Sequence, residues 1–271
     1  MRQICVAGKN SIAVNAVKYL LEHLLIPEQL ISVLTNKNDV GIDSWQPSLK
    51  KYAHIRGIKL ASLDELYKHD NLLFISLEYD QIIKPQKFKS KDLFNIHFSL
   101  LPKYKGMYTS AWPIINGEHY SGVTLHLIDE GIDTGDIIDQ ISIEIPLSFT
   151  SRDLYFKLLD QGSELFKRNI QKLLSGDYSI SPQTFLGSYY GKSSIEYKNL
   201  KIDLNKTSFE IYNQLRAFIF SEYQFPTLRG YKVKSVRITY EKIHLNHFEV
   251  FEKIIILSGI DGFKIICEID N

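Results

Sequence analysis

Residues 94–106 read FNIHFSLLPKYKG, and residues 131–135 read GIDTG. The first segment starts as an apolar strand and ends in a polar turn, and the second is a loop framed by two glycines. Three polar side chains in this stretch carry groups suited to chemistry: the Asn95 amide, the His97 imidazole and the Asp133 carboxylate. The segments before and after this stretch indicate the fold that holds these side chains.

Strand and helix patterns alternate in the chain before this stretch. Residues 2–7, 30–35 and 72–77 are mainly apolar runs, as in strands whose two faces are both covered by helices. The alternation predicts an α/β fold, a doubly wound, mostly parallel, Rossmann-like sheet. Ligands of such sheets bind beyond the carboxyl ends of the strands, where His97 and the pair Glu78-Tyr79 are placed.

Local signals mark two helix starts and one turn in this region. Asn10 or Ser11 is placed to cap the helix that follows the first strand, and Ser62 with Glu65 matches a capping box. The single glycine turn at Gly8 is not the three-glycine fingerprint of a dinucleotide site, so we reject NAD binding. The helix N-terminus there could hold a phosphate or belong to an ordinary strand-to-helix turn.

The chain after the stretch predicts the rest of the sheet and a small second domain. The predicted elements are strands at 123–128, 137–145, 233–240, 248–257 and 263–269 and helices at 151–174 and 204–220. Asp261-Gly262 is a hairpin turn signal. We therefore predict a catalytic domain at residues 1–176, a linker at 177–200 and a small α+β C-terminal domain at 201–271.

The composition is that of an ordinary globular protein with no strong charge. The 271 residues are 44% hydrophobic and 23% charged, and the formal net charge is +1. This balance argues against nucleic acid or an anionic membrane surface as a partner. The sequence begins with a buried-strand pattern, and no apolar run approaches the roughly 20 residues that span a bilayer. Cys5 and Cys267 lie in apolar strand patterns, so we expect a cytoplasmic protein with buried, unpaired thiols.

The three polar groups have complementary chemical abilities. An imidazole titrates near neutral pH, so His97 can accept a proton from an attacking group. Asn95 lies two residues earlier on the same extended segment and points to the same side, where its amide can donate to a developing oxyanion. Asp133 can orient His97, favour its protonated form or hold a water. No serine or cysteine occupies a nucleophile's position, so we expect direct transfer without a covalent enzyme intermediate.

Each of these residues also has a purely structural explanation. His97 could be a core histidine with satisfied hydrogen bonds, Asn95 a turn residue and Asp133 an Asx turn before Gly135. From spacing alone, both interpretations stay open. No metal is expected, because His119 and His126 form no ligand cluster with His97 in sequence.

The motifs in order resemble one enzyme family. NIH at residues 95–97, SLLPKYKG at 99–106 and GIDTGD at 131–136 are similar to the N10-formyltetrahydrofolate-dependent formyltransferases, over most of residues 1–175. That family includes enzymes acting on methionyl-tRNA, glycinamide ribonucleotide and nucleotide sugars. The resemblance implies a formyltransferase fold, N10-formyltetrahydrofolate as formyl donor, no metal, and catalysis by Asn95, His97 and Asp133.

The resemblance also implies where the donor binds. The pterin slot of the family is formed by a strand end and the aspartate loop. The matching residues here are Leu77, Glu78, Tyr79, Ile82, Ile83, Leu101, Asp129 and Gly131. Tyr79 could instead be a packing residue.

The predicted acceptor is the amine of a dTDP-linked 3- or 4-amino-dideoxy sugar, used in O-antigen or surface polysaccharide biosynthesis. Residues 202–226 resemble the region after the catalytic domain in nucleotide-sugar formyltransferases. Lys9, Asn10 and Arg216 are candidates for the diphosphate, and Tyr223 or Phe225 for stacking on thymine. Two structural alternatives stay open: Tyr223 and Phe225 could pack the small domain, and Arg216 could pair with Glu210 or Asp203.

Two other functions stay open, and one assembly is expected. The chain could be a methionyl-tRNA formyltransferase-like enzyme, or a non-catalytic nucleotide-binding module. The apolar strands predicted at residues 248–269 make a homodimer through the C-terminal domain a further expectation.

Overall fold

The structure is a computed structural model that describes residues 2–184 and 186–270; Met1, Phe185 and Asn271 lie outside this description. The strands are β1 (Gln3–Gly8), β2 (Ile31–Thr35), β3 (Lys59–Leu60), β4 (Leu72–Leu77), β5 (Leu93–His97), β6 (Lys105–Gly106), β7 (Tyr120–Leu127), β8 (Ile137–Glu144), β9 (Tyr189–Tyr190), β10 (Thr227–Leu228), β11 (Tyr231–Lys242), β12 (Phe248–Phe251), β13 (Ile254–Leu257) and β14 (Phe263–Asp270). The helices are α1 (Asn10–Glu22), α2 (Leu49–Ile55), α3 (Leu63–Leu66), α4 (Trp112–Ile115), α5 (Ser151–Ser175) and α6 (Ser208–Phe218).

The central sheet has seven strands in the order β3-β2-β1-β4-β5-β7-β8. β1 is parallel to both β2 and β4, and β4 is parallel to β5, whereas β5 and β7 are antiparallel. All six residues of β4 are buried, which explains why five of them are apolar and the sixth is the small Ser76. The predicted doubly wound, mostly parallel sheet is confirmed. Its strand order reverses direction between β1 and β4, the place where such sheets bind ligands.

One of the two predicted helix caps is present. Ser62 and Glu65 form a reciprocal capping box at the start of α3. The prediction for α1 is wrong: its N-cap is Lys9, which makes no side-chain cap bond. Asn10 is the first helical residue, at φ 60°, and its side-chain amide donates to the Glu78 carboxylate at 3.1 Å. The Asn10 side chain, which the sequence predicts as a helix cap, therefore binds Glu78 beyond the carboxyl end of β4 instead.

The C-terminal segment forms a five-stranded antiparallel sheet in the order β10-β11-β14-β13-β12, packed against α6. Ile211 and Leu215 of α6 and Val233 of β11 belong to its buried core. The predicted single strand at residues 248–257 is wrong, because it is a hairpin of β12 and β13. The predicted turn at Asp261-Gly262 lies between the antiparallel neighbours β13 and β14, with Gly262 at φ 76°.

The chain folds into two compact units that are not contiguous in sequence. The first comprises Met1–Lys105, Gly122–Ser142 and Leu158–Tyr189, and the second comprises Gly106–Ser121, Ile143–Lys157 and Tyr190–Asn271. The boundaries 1–176, 177–200 and 201–271 therefore stay a prediction of domain organisation. Within the predicted linker, which contains the undescribed Phe185, the structure has β9 and two single-turn 3-10 helices.

The two cysteines are free and buried. Burial raises the pKa of each thiol, Cys5 and Cys267, to about 12, so both are protonated and unreactive at neutral pH. Among the described residues, no helix is both long and apolar enough to cross a membrane.

Candidate active site

Two segments at the carboxyl end of the central sheet hold the candidate catalytic residues, and a third, β7, lies beside them. Asn95 and His97 lie on β5, two residues apart and so on the same face. The antiparallel register with β7 places His126 opposite Asn95 and Thr124 opposite His97. Asp133 lies in the loop that connects β7 to β8. Residues far apart in sequence are thereby gathered at one edge.

The structure brings Asn95, His97 and Asp133 together. The Asn95 Nδ2 donates to Asp133 Oδ1 at 3.4 Å, and the His97 Nδ1 lies 3.4 Å from Asp133 Oδ2. One carboxylate thus touches both the amide and the imidazole. His97 is buried, at 8% exposure, while Asp133 keeps partial exposure.

The surroundings of His97 identify its basic nitrogen. Its Nε2 lies 2.8 Å from the Tyr104 carbonyl oxygen, and because a carbonyl only accepts, Nε2 carries the hydrogen. The lone pair of the neutral ring is therefore on Nδ1, which faces Asp133. Burial lowers the pKa of His97 below its usual value, and Asp133 partly opposes this. The ring is thus a neutral base at pH 7, and once protonated it has a carboxylate partner.

His126 is a site residue that sequence reasoning missed, because it was considered only as a metal ligand. Its Nε2 lies 3.0 Å from Asn95 Nδ2 and 3.6 Å from Asp133 Oδ1. The sequence shows only that Thr124 and His126 lie two residues apart on a predicted strand; that this strand pairs with the NIH segment is seen in the structure. The residues that the structure describes contain no cluster suited to a metal.

Short-range and long-range contacts fix the loop that carries Asp133. Asp129 Oδ1 accepts from the Gly131 amide and the Thr134 hydroxyl. Asp133 has φ 55°, in the left-handed region that is costly for a residue with a side chain. Gln183 Nε2 donates to the carbonyls of Asp133 at 3.0 Å and Gly135 at 2.8 Å. Gln183 was also missed, since it lies in the predicted linker.

The predicted donor-binding residues divide into buried and exposed groups. Leu77, Ile83 and Leu101 have buried side chains, and Tyr79 packs against the core cluster that contains Ile83. Ile82 is 70% exposed. Burial raises the pKa of Tyr79 to about 12, so its hydroxyl stays protonated.

Glu78 and Asn10 form a small polar cluster with Asn36 beyond the strand ends. Glu78 has φ 61°, and its carbonyl accepts from Asn36 Nδ2 at 3.0 Å. Lys9 donates its backbone amide to the Leu77 carbonyl at 3.3 Å. Asn10 and Glu78 therefore meet, although the sequence analysis assigned them to different ligands.

The remaining predicted substrate residues belong to the second unit. Arg216 is 3% exposed, and its guanidinium donates to the carbonyls of Pro146 and Phe149 and to the Asn213 side chain. These surroundings do not support the predicted diphosphate contact, because the guanidinium is already bound to protein acceptors.

The two aromatic candidates of that unit differ in exposure. Phe225 packs against the core of the second unit with the Lys232 ammonium 4.7 Å from its ring centre, as in the packing alternative. Tyr223 is 60% exposed, and its ring lies 4.8 Å from that of Phe220.

The site thus combines the Asn95 amide, a basic ring nitrogen of His97 and the Asp133 carboxylate at the carboxyl edge of a mostly parallel sheet. The family model for formyl transferases matches residues 30–170. The chain belongs to the formyl transferase family.

Two solved structures align with the whole chain. The N-formyltransferase from Helicobacter canadensis, in complex with folinic acid and dTDP-3-aminofucose, is 50% identical with a TM-score of 0.96 and covers 100% of both chains. WlaRD, a sugar 3N-formyl transferase in the presence of dTDP and 5-N-formyl-THF, is 51% identical with a TM-score of 0.96, covering 100% of this chain and 98% of that one.

A methionyl-tRNA formyltransferase among the curated relatives aligns over a shorter length. The methionyl-tRNA formyltransferase of Synechococcus sp. (strain JA-3-3Ab) is 33% identical over 207 residues. The alignment covers 75% of this chain and 61% of that relative. This chain therefore spans less than two thirds of the length of the relative.

Proposed function

We propose that this protein transfers the formyl group of N10-formyltetrahydrofolate to the amine of a dTDP-linked amino-dideoxy sugar. The observation that carries the proposal is the single carboxylate, Asp133, in contact with both the Asn95 amide and the basic nitrogen of His97. These residues lie within residues 1–176, to which we assign the chemistry. The whole-length similarity to two sugar N-formyltransferases supports the choice of acceptor.

The donor supplies a formyl carbon that the sugar amine can attack. Asn95 donates a hydrogen bond to the oxyanion that develops, an interaction worth about 3 kcal/mol of barrier in comparable sites. His97 accepts the amine proton at Nδ1, and Asp133 stabilises the imidazolium so formed. The proton can then pass from His97 towards the departing nitrogen. Since no side-chain nucleophile takes part, the transfer is direct.

The residues of the predicted donor site fit a pterin. Ile83 and Leu101 offer buried apolar side chains, and the loop from Asp129 adds polar groups. Asn36 is 2% exposed, and its Oδ1 is buried with no hydrogen-bond partner among the described residues. Because Asn36 contacts Glu78, this unused acceptor lies beside the predicted slot, where it suits the N–H groups of a pterin.

The acceptor, the pathway and the assembly are proposed at a finer level. The two sugar N-formyltransferase relatives favour the amine at C3 over that at C4. We assign the product to O-antigen or other surface polysaccharide biosynthesis in the cytoplasm. A homodimer through the C-terminal sheet is part of the proposal, on the basis of exposed apolar side chains at Val250, Phe251 and Ile254. Neither nucleic acid nor a membrane is proposed as a partner.

The proposal is tested by a panel of acceptors. The protein is incubated with N10-formyltetrahydrofolate and dTDP-linked sugars that carry an amine at C3 or C4 in gluco or galacto configuration. Mass spectrometry is expected to show a gain of one formyl group on a 3-amino sugar. A non-catalytic nucleotide-binding module would bind dTDP and leave every acceptor and the donor unchanged, which would contradict the proposal.

Methionyl-tRNA is the second candidate acceptor, since the curated relative is a methionyl-tRNA formyltransferase. The formal net charge of +1 disfavours it, because a tRNA-binding surface is normally basic. We expect no formylation of methionyl-tRNA at low salt. Formylation that weakens steeply as salt rises would instead favour the tRNA enzyme.

A further inference from the structure

We propose that His126 is a positioning residue that holds the Asn95 amide with its nitrogen towards the formyl oxygen, on which the negative charge develops. The inference rests on the proposed formyl transfer, whose oxyanion Asn95 would stabilise. His126 lies on β7, opposite Asn95 in the antiparallel register, and is 2% exposed. Its imidazole can therefore act on Asn95 from a fixed location.

Two independent contacts determine the hydrogen positions of this pair. The His126 Nδ1 lies 2.7 Å from the Leu127 carbonyl oxygen, and because that oxygen only accepts, Nδ1 carries a hydrogen. The side-chain atom of Asn95 that faces the Asp133 carboxylate must also be a donor, and so it is the nitrogen. The same nitrogen lies 3.0 Å from His126 Nε2, which must therefore accept. Both constraints are met by one state: a neutral His126 with its hydrogen on Nδ1.

The two hydrogens of the Asn95 amide are used unequally. One hydrogen points to His126 Nε2, which lies 3.0 Å from Asn95 Nδ2. The other points to Asp133 Oδ1, which lies farther from the same nitrogen, at 3.4 Å. The weakly held hydrogen is the one available to a developing oxyanion. By holding the first hydrogen, His126 fixes the amide plane and prevents the rotation that would turn the amide oxygen, an acceptor, towards a negative charge.

Two titratable groups among the described residues lie close to His126. Asp133 Oδ1 lies 3.6 Å from its Nε2, and the ring centre of His97 lies 6.5 Å away. A cationic His126 would donate from Nε2, so Asn95 could face it only through the amide oxygen. That arrangement would set two oxygens, from Asn95 and Asp133, against each other. The neutral ring is the state compatible with Asn95 as a donor.

The tautomer can be measured on the wild-type protein without turnover. Long-range ¹H–¹⁵N NMR of the His126 ring, assigned by comparison with a His126→Gln sample, is expected to show a protonated Nδ1 and a bare Nε2. A protonated Nε2 would overturn the inference. This readout stands even if no amino sugar is formylated, so it separates the inference from the proposed function.

Two variants of His126 test its effect on catalysis. The Gln side chain is long enough to place an acceptor near the position of Nε2, whereas Asn reaches only the position of Nδ1. We expect His126→Asn to lower kcat about 10-fold or more while leaving KM for the donor unchanged, because the lost alignment matters only in the transition state. His126→Gln is expected to recover most of that loss. Equal impairment of the two variants would overturn the inference.

The coupling to Asn95 distinguishes positioning from direct proton transfer. In an Asn95→Ala background, His126→Asn is expected to have little further effect on single-turnover rates, because there is no amide left to hold. Thermal melting of each variant identifies losses due to misfolding. If His126→Asn lowers the rate by the same factor in both backgrounds, His126 acts independently of Asn95 and the proposal is wrong.

Discussion

At His97, burial and a neighbouring carboxylate act on the same imidazole in opposite directions. Burial lowers its pKa, and Asp133 raises it. We expect Asp133→Asn to lower the pKa of His97 further, because the carboxamide removes the attraction to the imidazolium. An NMR titration of the His97 ring measures this shift. Glu130→Gln, which removes an exposed carboxylate from the same loop, is the control and should leave the titration unchanged.

The lowered pKa has a consequence with a definite sign. Unfolded chains protonate histidine near pH 6.5, and the folded state takes up that proton only at lower pH. Between those two pKa values the unfolded state binds more protons, so the contribution of His97 to stability rises with pH across that window. An upward shift of the His97 pKa in Asp133→Asn would contradict the conclusion that the Asp133 carboxylate stabilises the protonated ring.

The sequence alone predicts only some of the contacts that Asn95 and His97 make in the candidate active site. Asn95 and His97 share a strand face, and the strand period predicts that directly. The contact of His126 with Asn95 depends on the register of β5 and β7, which no local pattern specifies. The tautomer of His97 depends on the Tyr104 carbonyl, a backbone atom that carries no sequence signal.

At the scale of elements, the loop between β7 and β8 needs a glycine for close backbone approach. A Cβ at Gly135 would lie 1.9 Å from the Leu127 carbonyl oxygen. Gly135→Ala must therefore displace the loop that carries Asp133, and we expect a stability loss of about 1–3 kcal/mol. We also expect a fall in kcat. Chemical denaturation measures the stability loss, and kcat is measured on the same sample.

Gly176→Ala is the matched control for this prediction. Gly176 ends α5 at φ 76° with nothing within 4 Å of the added Cβ. Its substitution should cost stability by backbone strain alone and leave kcat unchanged. A Gly135→Ala variant with unchanged kcat would show that the loop does not fix Asp133.

At this scale, local sequence patterns specify some elements and not others. The apolar run of β4 and the capping box at Ser62 follow from local rules, and both are confirmed. Residues 248–257 are rich in apolar side chains, and the pattern predicts one strand there. The hairpin there turns at Glu252, at φ 52°, without the glycine or asparagine that usually marks such a turn.

At the scale of the whole molecule, Arg216 shows how a buried cation can stabilise one unit. Its guanidinium donates to the Phe149 carbonyl at 2.7 Å and to Asn213 at 2.9 Å, and burial lowers its pKa. We expect Arg216→Lys to lower the free energy of unfolding by about 2–3 kcal/mol, since lysine cannot reproduce the forked donors. KM for the nucleotide sugar should stay unchanged.

Arg237→Lys, at an exposed position of β11, is the control for charge and length. It should alter neither the melting temperature nor KM. A raised KM with an unchanged melting temperature in Arg216→Lys would restore the predicted diphosphate contact. The non-contiguous segments of the two units explain why sequence could not assign this residue, because its partners at Pro146 and Phe149 lie about 70 positions earlier.

The central claim is that His97 accepts the proton as the formyl group passes to a sugar amine. Single-turnover transfer of an isotopically labelled formyl group from N10-formyltetrahydrofolate to the dTDP-linked amino sugar, in the wild-type protein and His97→Ala side by side, tests it most directly. We expect the variant to be slower by roughly 10²-fold or more while its affinity for the folate is largely retained. Equal rates of transfer in the two proteins would contradict the claim.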